Sequence, residues 1–164
     1  MTFIVDGTNG LTFPNSTTQV SAGVVLQVVQ GSASTAVYNS TTTYADTGLS
    51  ASITPKFSTS KILVLITHPE NYKSSGASSN DIAFNLCRNG SQIQQFTSGL
   101  GYTNTATYLY FSTSFNYLDS PATTSSTTYK TQFKNNDNNG AQVGVNNGGA
   151  GLTLCTITLL EIAG

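Results

Sequence analysis

Charge is scarce in this sequence. Asp, Glu, Lys and Arg make up 8% of its 164 residues, with a formal net charge of -1 at pH 7. About a quarter is usual for a globular domain. The six cations, Lys56, Lys61, Lys73, Arg88, Lys130 and Lys134, are scattered. A surface that tracks phosphates gathers its Lys and Arg on one face, so this pattern argues against nucleic acid and anionic membrane as partners. No apolar run reaches spanning length, which argues against membrane insertion. Met1-Thr2-Phe3-Ile4-Val5-Asp6 has neither a basic stretch nor an apolar core, so no signal peptide is expected.

Other absences narrow the chemistry. Trp is missing, and Met and His occur once each. A lone His68, far in sequence from Cys87 and Cys155, builds no metal site, and as a general base it lacks an oriented nucleophile; a structural place at a strand end is expected. Two cysteines make no disulfide framework. They read as buried free thiols, with a pair open if their strands are neighbours. Ser58-Thr59-Ser60-Lys61 matches the Ser-x-x-Lys pattern of acyl enzymes, but such matches arise by chance in a Ser-rich chain and its companion motifs are missing. The carboxylates Asp6, Asp46, Glu70, Asp81, Asp119, Asp137 and Glu161 form no evident pair, and Asp46 and Asp119 read as turn formers. Asp137 among asparagines offers oxygen ligands of the kind Ca²⁺ takes, but one carboxylate makes a weak site. No catalytic residue, cofactor or metal is therefore expected.

What is present is hydroxyl and amide: Ser, Thr and Asn are roughly a third of the chain. Among them run short apolar segments. Val24–Val29 is β-branched. Leu49, Ala51 and Ile53 alternate with polar residues, as do Ile82, Phe84 and Leu86. Tyr129, Thr131 and Phe133 alternate with Lys130 and Gln132. Ile62–Ile66 is apolar throughout, which suits a central strand covered on both faces. Asn89-Gly90 between two such runs predicts a tight hairpin. In Tyr108–Leu118, Leu109, Phe111, Phe115 and Tyr117 share one face, and Tyr108, Tyr110, Ser112, Ser114 and Asn116 the other. No window has helical periodicity. Eight to ten strands at this spacing predict an all-β sandwich or barrel.

Residues 1–22 differ from the rest. Turn signals at Asp6–Gly10 and Pro14–Ser16 bracket apolar residues with little to pack on. They read as an extended N-terminal arm for docking or assembly, with Phe3, Val5, Leu11, Phe13 and Pro14 as its contacts; residues 23–164 form the β domain. Long polar loops are predicted at 71–80, 99–107, 121–128 and 135–140, with a Gly-rich stretch at 146–151. Loops on a rigid β scaffold are where binding concentrates. Tyr72, Tyr102, Asn104, Asn136, Asp137 and Asn138 are the candidates there: ring faces pack on sugars and amides bond their hydroxyls. Asn15-Ser16-Thr17, Asn39-Ser40-Thr41 and Asn89-Gly90-Ser91 match the glycosylation sequon, a frequent match in such a composition.

Gly10-Leu11-Thr12-Phe13-Pro14-Asn15-Ser16-Thr17-Thr18-Gln19 resembles a segment that recurs before a terminal β module in bacteriophage tail-fibre and related virion proteins. The stretches 41–49, 53–64 and 117–121 and the ending Ile157–Gly164 resemble modules of marine and freshwater phages, cyanophage-like in character. The resemblance implies an antiparallel β-sandwich, jelly-roll-like and homotrimeric, similar in outline to C1q/TNF-type heads, and it carries over no catalytic residue. It implies a viral protein of the virion exterior, made in the host cytoplasm. Its expected role is host attachment as a tail fibre that recognises host-surface glycan. The rival is a capsid decoration (cement) or head-fibre protein docked by its arm to the major capsid protein, favoured by the lack of a shaft ahead of the motif. Its partners are then other virion proteins, of tail or capsid.

Overall fold

The computed structural model describes residues 4–6, 10–12, 18–19, 24–147 and 153–164, and these are all-β. Three short strands, β1 (Ile4–Asp6), β2 (Gly10–Thr12) and β3 (Thr18–Gln19), pair antiparallel in a sheet of their own. The remaining strands are β4 (Val25–Ala33), β5 (Val37–Asn39), β6 (Ala45–Ile53), β7 (Lys61–Lys73), β8 (Ile82–Arg88), β9 (Ser91–Leu100), β10 (Leu109–Asp119), β11 (Thr127–Asn135), β12 (Val143–Val145) and β13 (Cys155–Ile162). They form two antiparallel sheets packed face to face. In the first, β7 is central: β10 runs along one edge, while β13 and β12 share the other, leading out to β4 and β5. The second is ordered β6-β11-β8-β9.

Alternation places the core. Leu49 and Ile53 on β6, Ile62, Val64 and Ile66 on β7, Leu86 on β8, Tyr129 on β11, and Ile157 and Leu159 on β13 make one buried cluster. Ile82, Phe84, Phe133, Val143 and Val145 make a second. Each large apolar side chain so buried contributes about 1.5–3 kcal/mol. At the level between the clusters lie polar residues, Thr47, His68, Thr131 and Asn146, all buried. The Asn89-Gly90 hairpin forms as the sequence predicts, with φ of 50° and 86°: both residues take the positive φ that a type I′ turn demands.

A bulge in β7 decides which way its second half faces. His68 sits opposite Thr113 and Asn71 opposite Phe111, so Pro69 and Glu70 together oppose Ser112. Pro69 has no N–H to give, and a bulge tolerates that. The Ser112 hydroxyl donates to the Pro69 carbonyl at 2.5 Å. Ile62, Val64, Ile66 and His68 point inward before the bulge; Asn71 and Lys73 do so after it, and Tyr72 points out.

Several expectations need correction. The loop expected at 71–80 starts later, because β7 continues through Lys73, where β10 and β12 pair with it. Tyr72 is therefore on a strand, not a loop. His68 stands mid-strand rather than at a strand end. Asp46 and Asp119 are strand residues with partnered carboxylates: Lys130 and Gln132 of the neighbouring β11 for Asp46, and Arg88 and Tyr129 of the facing sheet for Asp119. Ile62–Ile66 is central in its sheet, yet Leu65 is exposed, so only one face of the run is covered within this chain. Cys87 and Cys155 are buried free thiols on different sheets.

Candidate functional site

Three of the long loops converge at one end of the sandwich. Residues 74–81 follow β7, 101–108 follow β9 and 136–142 follow β11. Lys73, fully buried, ties two of them: its ammonium donates to the carbonyls of Ser78 (3.4 Å) and Thr105 (3.2 Å) and to the Thr103 hydroxyl. The third is joined by Asn80 Nδ2 to the Gln142 carbonyl (3.1 Å) and by the Asn136 amide N–H to the Asp81 carbonyl (3.0 Å). Asn136 Nδ2 also donates to the Ser98 carbonyl at 2.8 Å. The 136–142 loop is organised by amides: Asn135 Nδ2 reaches the Ala141 carbonyl at 2.7 Å, and Asn135 Oδ1 accepts from the Asp137 N–H at 2.9 Å. Side-chain amides here supply the local turns that Asn favours.

Tyr102, Asn104 and Asn138 are exposed on these loops, and Asn136 and Asp137 are half-buried. The structure thus brings Tyr102, Asn104, Asn136, Asp137 and Asn138 to one end, with Tyr72 on the adjoining outer face. The 121–128 segment joins β10 to β11 at the opposite end. Of the arm residues, Val5 and Leu11 are paired across β1 and β2; Phe3, Phe13 and Pro14 lie outside the described residues, as does most of the Gly-rich stretch.

One carboxylate at the loop end is perturbed. Asp81 is 6% exposed and its Oδ1 has no protein partner among the described residues. Burial first, then the charge of Asp137, raise its pKa from 3.8 to about 6, against a hydrogen bond from Asn136 and the charge of Lys73. No group of three or more His, Cys, Asp or Glu suited to a metal comes together among the described residues.

A Cys-His-Asn trio also assembles, though the sequence scatters it. Register sets Cys155 of β13 beside His68 of β7, and its thiol donates to Asn146 Oδ1. Such trios serve acyl transfer when thiolate and imidazolium coexist near solvent. Here all three are at most 1% exposed. Burial lifts the Cys155 thiol to about 11 and lowers His68 to about 4, the latter opposed by the nearby side chain of Asn146. Both are neutral at pH 7. His68 stacks on Phe84 at 5.1 Å with Nε2 3.2 Å from the Thr131 hydroxyl, a packed core position.

The outer face of the first sheet carries what sequence reasoning missed. Register aligns Tyr38, Gly144, Tyr72 and Tyr110 in one row across β5, β12, β7 and β10. Tyr108 joins the group. Ring centroids lie 6.1 Å (Tyr38–Tyr72), 6.0 Å (Tyr72–Tyr108) and 5.4 Å (Tyr72–Tyr110) apart. Gly144 leaves room for the Tyr38 ring: a Cβ there would sit 2.7 Å from it. Farther along this face Val28, Leu160, Leu63 and Leu118 form an aliphatic row, with Leu65 beside it. The one sequence signal was Tyr-x-Tyr at 108 and 110 on the polar face of an alternating strand; nothing local announces Tyr38. Among known proteins, no family model matches this chain and no curated protein is significantly similar to it.

Proposed function

We propose that this chain is a non-enzymatic structural protein of the bacteriophage virion exterior, a homotrimeric tail-fibre or receptor-binding module that recognises a host-surface glycan. The observation that carries the reading is the convergence of long, polar, amide-braced loops at one end of a rigid sandwich. Strand order supports a jelly-roll. The chain passes from β4 to β6 to β7, changing sheets each time, then to the β8–β9 hairpin, and then to β10, β11 and β13, again changing sheets at each step. The aliphatic row on the first sheet supports self-assembly, since Val28, Leu65 and Leu118 are exposed in the single chain and their burial between copies is favourable by about 25 cal/mol per Å². Three copies then multiply weak loop contacts by effective concentration. The near-zero net charge leaves little repulsion to oppose assembly.

The test has two arms. Light scattering on the purified protein gives a trimer, and Leu65→Glu with Leu118→Glu gives a monomer. The trimer binds host cells or purified envelope glycan. The second reading, capsid decoration, is favoured by one observation: the described strands of residues 1–22 pair only with one another, as a unit of their own. A decoration protein binds empty capsids, and deleting residues 1–22 abolishes that binding while the trimer survives. Binding to neither host envelope nor capsid refutes both.

A further inference from the structure

We infer that the tyrosine cluster on the outer face of the first sheet, Tyr38, Tyr72, Tyr108 and Tyr110 around Gly144, is a stacking platform for a neutral saccharide. This rests on the glycan reading above and gives it a site. Tyr72 is the floor, 8% exposed, while Tyr38, Tyr108 and Tyr110 stand 46%, 61% and 56% exposed around it. Tyr38, Tyr72 and Tyr110 come from three hydrogen-bonded strands and Tyr108 directly precedes β10, so most of the surface is set by the sheet before any ligand arrives. Tyr72 and Tyr108 are stacked with planes 26° apart, and Tyr110 is tilted by 43°. The result is a shallow, broken aromatic surface rather than a closed slot, suited to the C–H face of a sugar ring.

The polar inventory fits the same ligand. The rings of Tyr38, Tyr108 and Tyr110 all lie within 6.1 Å of the Tyr72 ring, so their phenol groups belong to one surface. Tyr38 donates to the side chain of Asn147, which carries the polar rim onto the segment after β12. Hydroxyls and an amide both donate and accept, as a sugar hydroxyl requires. Neither carboxylate nor cation belongs to the row Tyr38, Gly144, Tyr72, Tyr110, so an anionic polysaccharide finds no counter-charge there. A homotypic contact is better matched to the aliphatic row, which has no hydroxyls to satisfy.

Affinity electrophoresis of the intact protein through gels containing purified neutral host polysaccharide, with an anionic polysaccharide in parallel, tests the assignment. Wild type is expected to be retarded by the neutral gel. Tyr108→Ala with Tyr110→Ala is expected to lose at least about tenfold in affinity, since each ring removed forfeits its stacking. Should that variant not fold, Tyr108→Ala alone serves. Ser50→Ala with Ser52→Ala, on the far sheet, is expected to behave as wild type. With no Trp in the chain, tyrosine emission reports ligand directly, and saccharide is expected to perturb it. Retained affinity in the Tyr108/Tyr110 variant, with loss in Tyr102→Ala combined with Asn138→Ala, overturns the platform and leaves the glycan reading standing. Loss of the trimer instead of saccharide binding makes the cluster a subunit contact and also overturns it. No retardation of wild type by any host glycan removes the platform and the glycan reading together.

Discussion

Replacing Asp81 with Asn is expected to stabilise the protein at neutral pH and to lose that advantage in acid. The carboxyl is buried, has an orphan oxygen and faces Asp137. Its folded pKa, about 6, lies above its ordinary 3.8. Ionisation therefore costs the folded state, with the penalty complete above about pH 6 and gone below about pH 4. A rise of this size corresponds to about 3 kcal/mol at full effect; partial solvent screening leaves about 1–3 kcal/mol. His68 titrates oppositely in nearly the same window. Its folded pKa, about 4, is below 6.5, so its neutral form supports the fold and stability is lost as pH falls from 6.5 towards 4. In the wild type the two groups offset each other; in Asp81→Asn only the histidine remains. Urea unfolding at pH 8, 6 and 4 checks this. The variant is expected to be more stable at pH 8, and its stability is expected to fall more steeply between pH 6.5 and 4 than the wild type's. An equal difference between the two proteins at pH 8 and pH 4 refutes the assignment of the titration to Asp81.

Gly31→Ala is expected to lower the melting temperature by several degrees, since the new Cβ would lie 2.0 Å from the Ser50 carbonyl oxygen and would force β4 away from β6. A cost above about 2 kcal/mol follows from such overpacking against backbone, and a melt unchanged from wild type refutes the close approach. Glu161 is fully buried and accepts from Gln27 Nε2 (2.6 Å) and the Lys56 N–H (2.6 Å). Burial alone would raise its pKa, but these bonds and one from the Phe57 N–H hold it below its usual value. Its stabilisation is thus present above about pH 4.5 and lost in acid. Glu161→Ala is expected to cost about 3 kcal/mol in chemical denaturation near pH 7, and the cost is expected to shrink as the pH is lowered below about 4.5. Cys87 and Cys155 are expected to resist an aromatic disulfide reagent in the native protein and to react as two thiols in denaturant. Rapid native labelling would count against their burial.

Much of the fold was legible because strands advertise themselves locally. β6 and β11 alternate cleanly, and both bury the residues the pattern predicts. β8 is less legible: Ala83, Asn85 and Cys87 are as buried as Phe84 and Leu86. Neighbouring polar side chains cover that outward row, with Gln92 and Gln132 accepting from Asn85 Nδ2. Tyr72 was misread because Pro69 breaks the local pattern while the flanking strands repair it. The loop candidates were found by composition, but their shared location was not.

The sequence by itself determined that this protein is all-β, that its surface is wetted by hydroxyls and amides, and where the Asn89-Gly90 hairpin turns. Those properties follow from side-chain period and backbone preference, which act within a few residues. Tertiary structure alone decided that Tyr38, Tyr72 and Tyr110 meet, that His68, Asn146 and Cys155 share the core, and that Lys73 ties two loops. Each of these depends on register between strands far apart in sequence. A one-residue slip turns every side chain to the other face, and the bulge at Pro69 and Glu70 is such a shift.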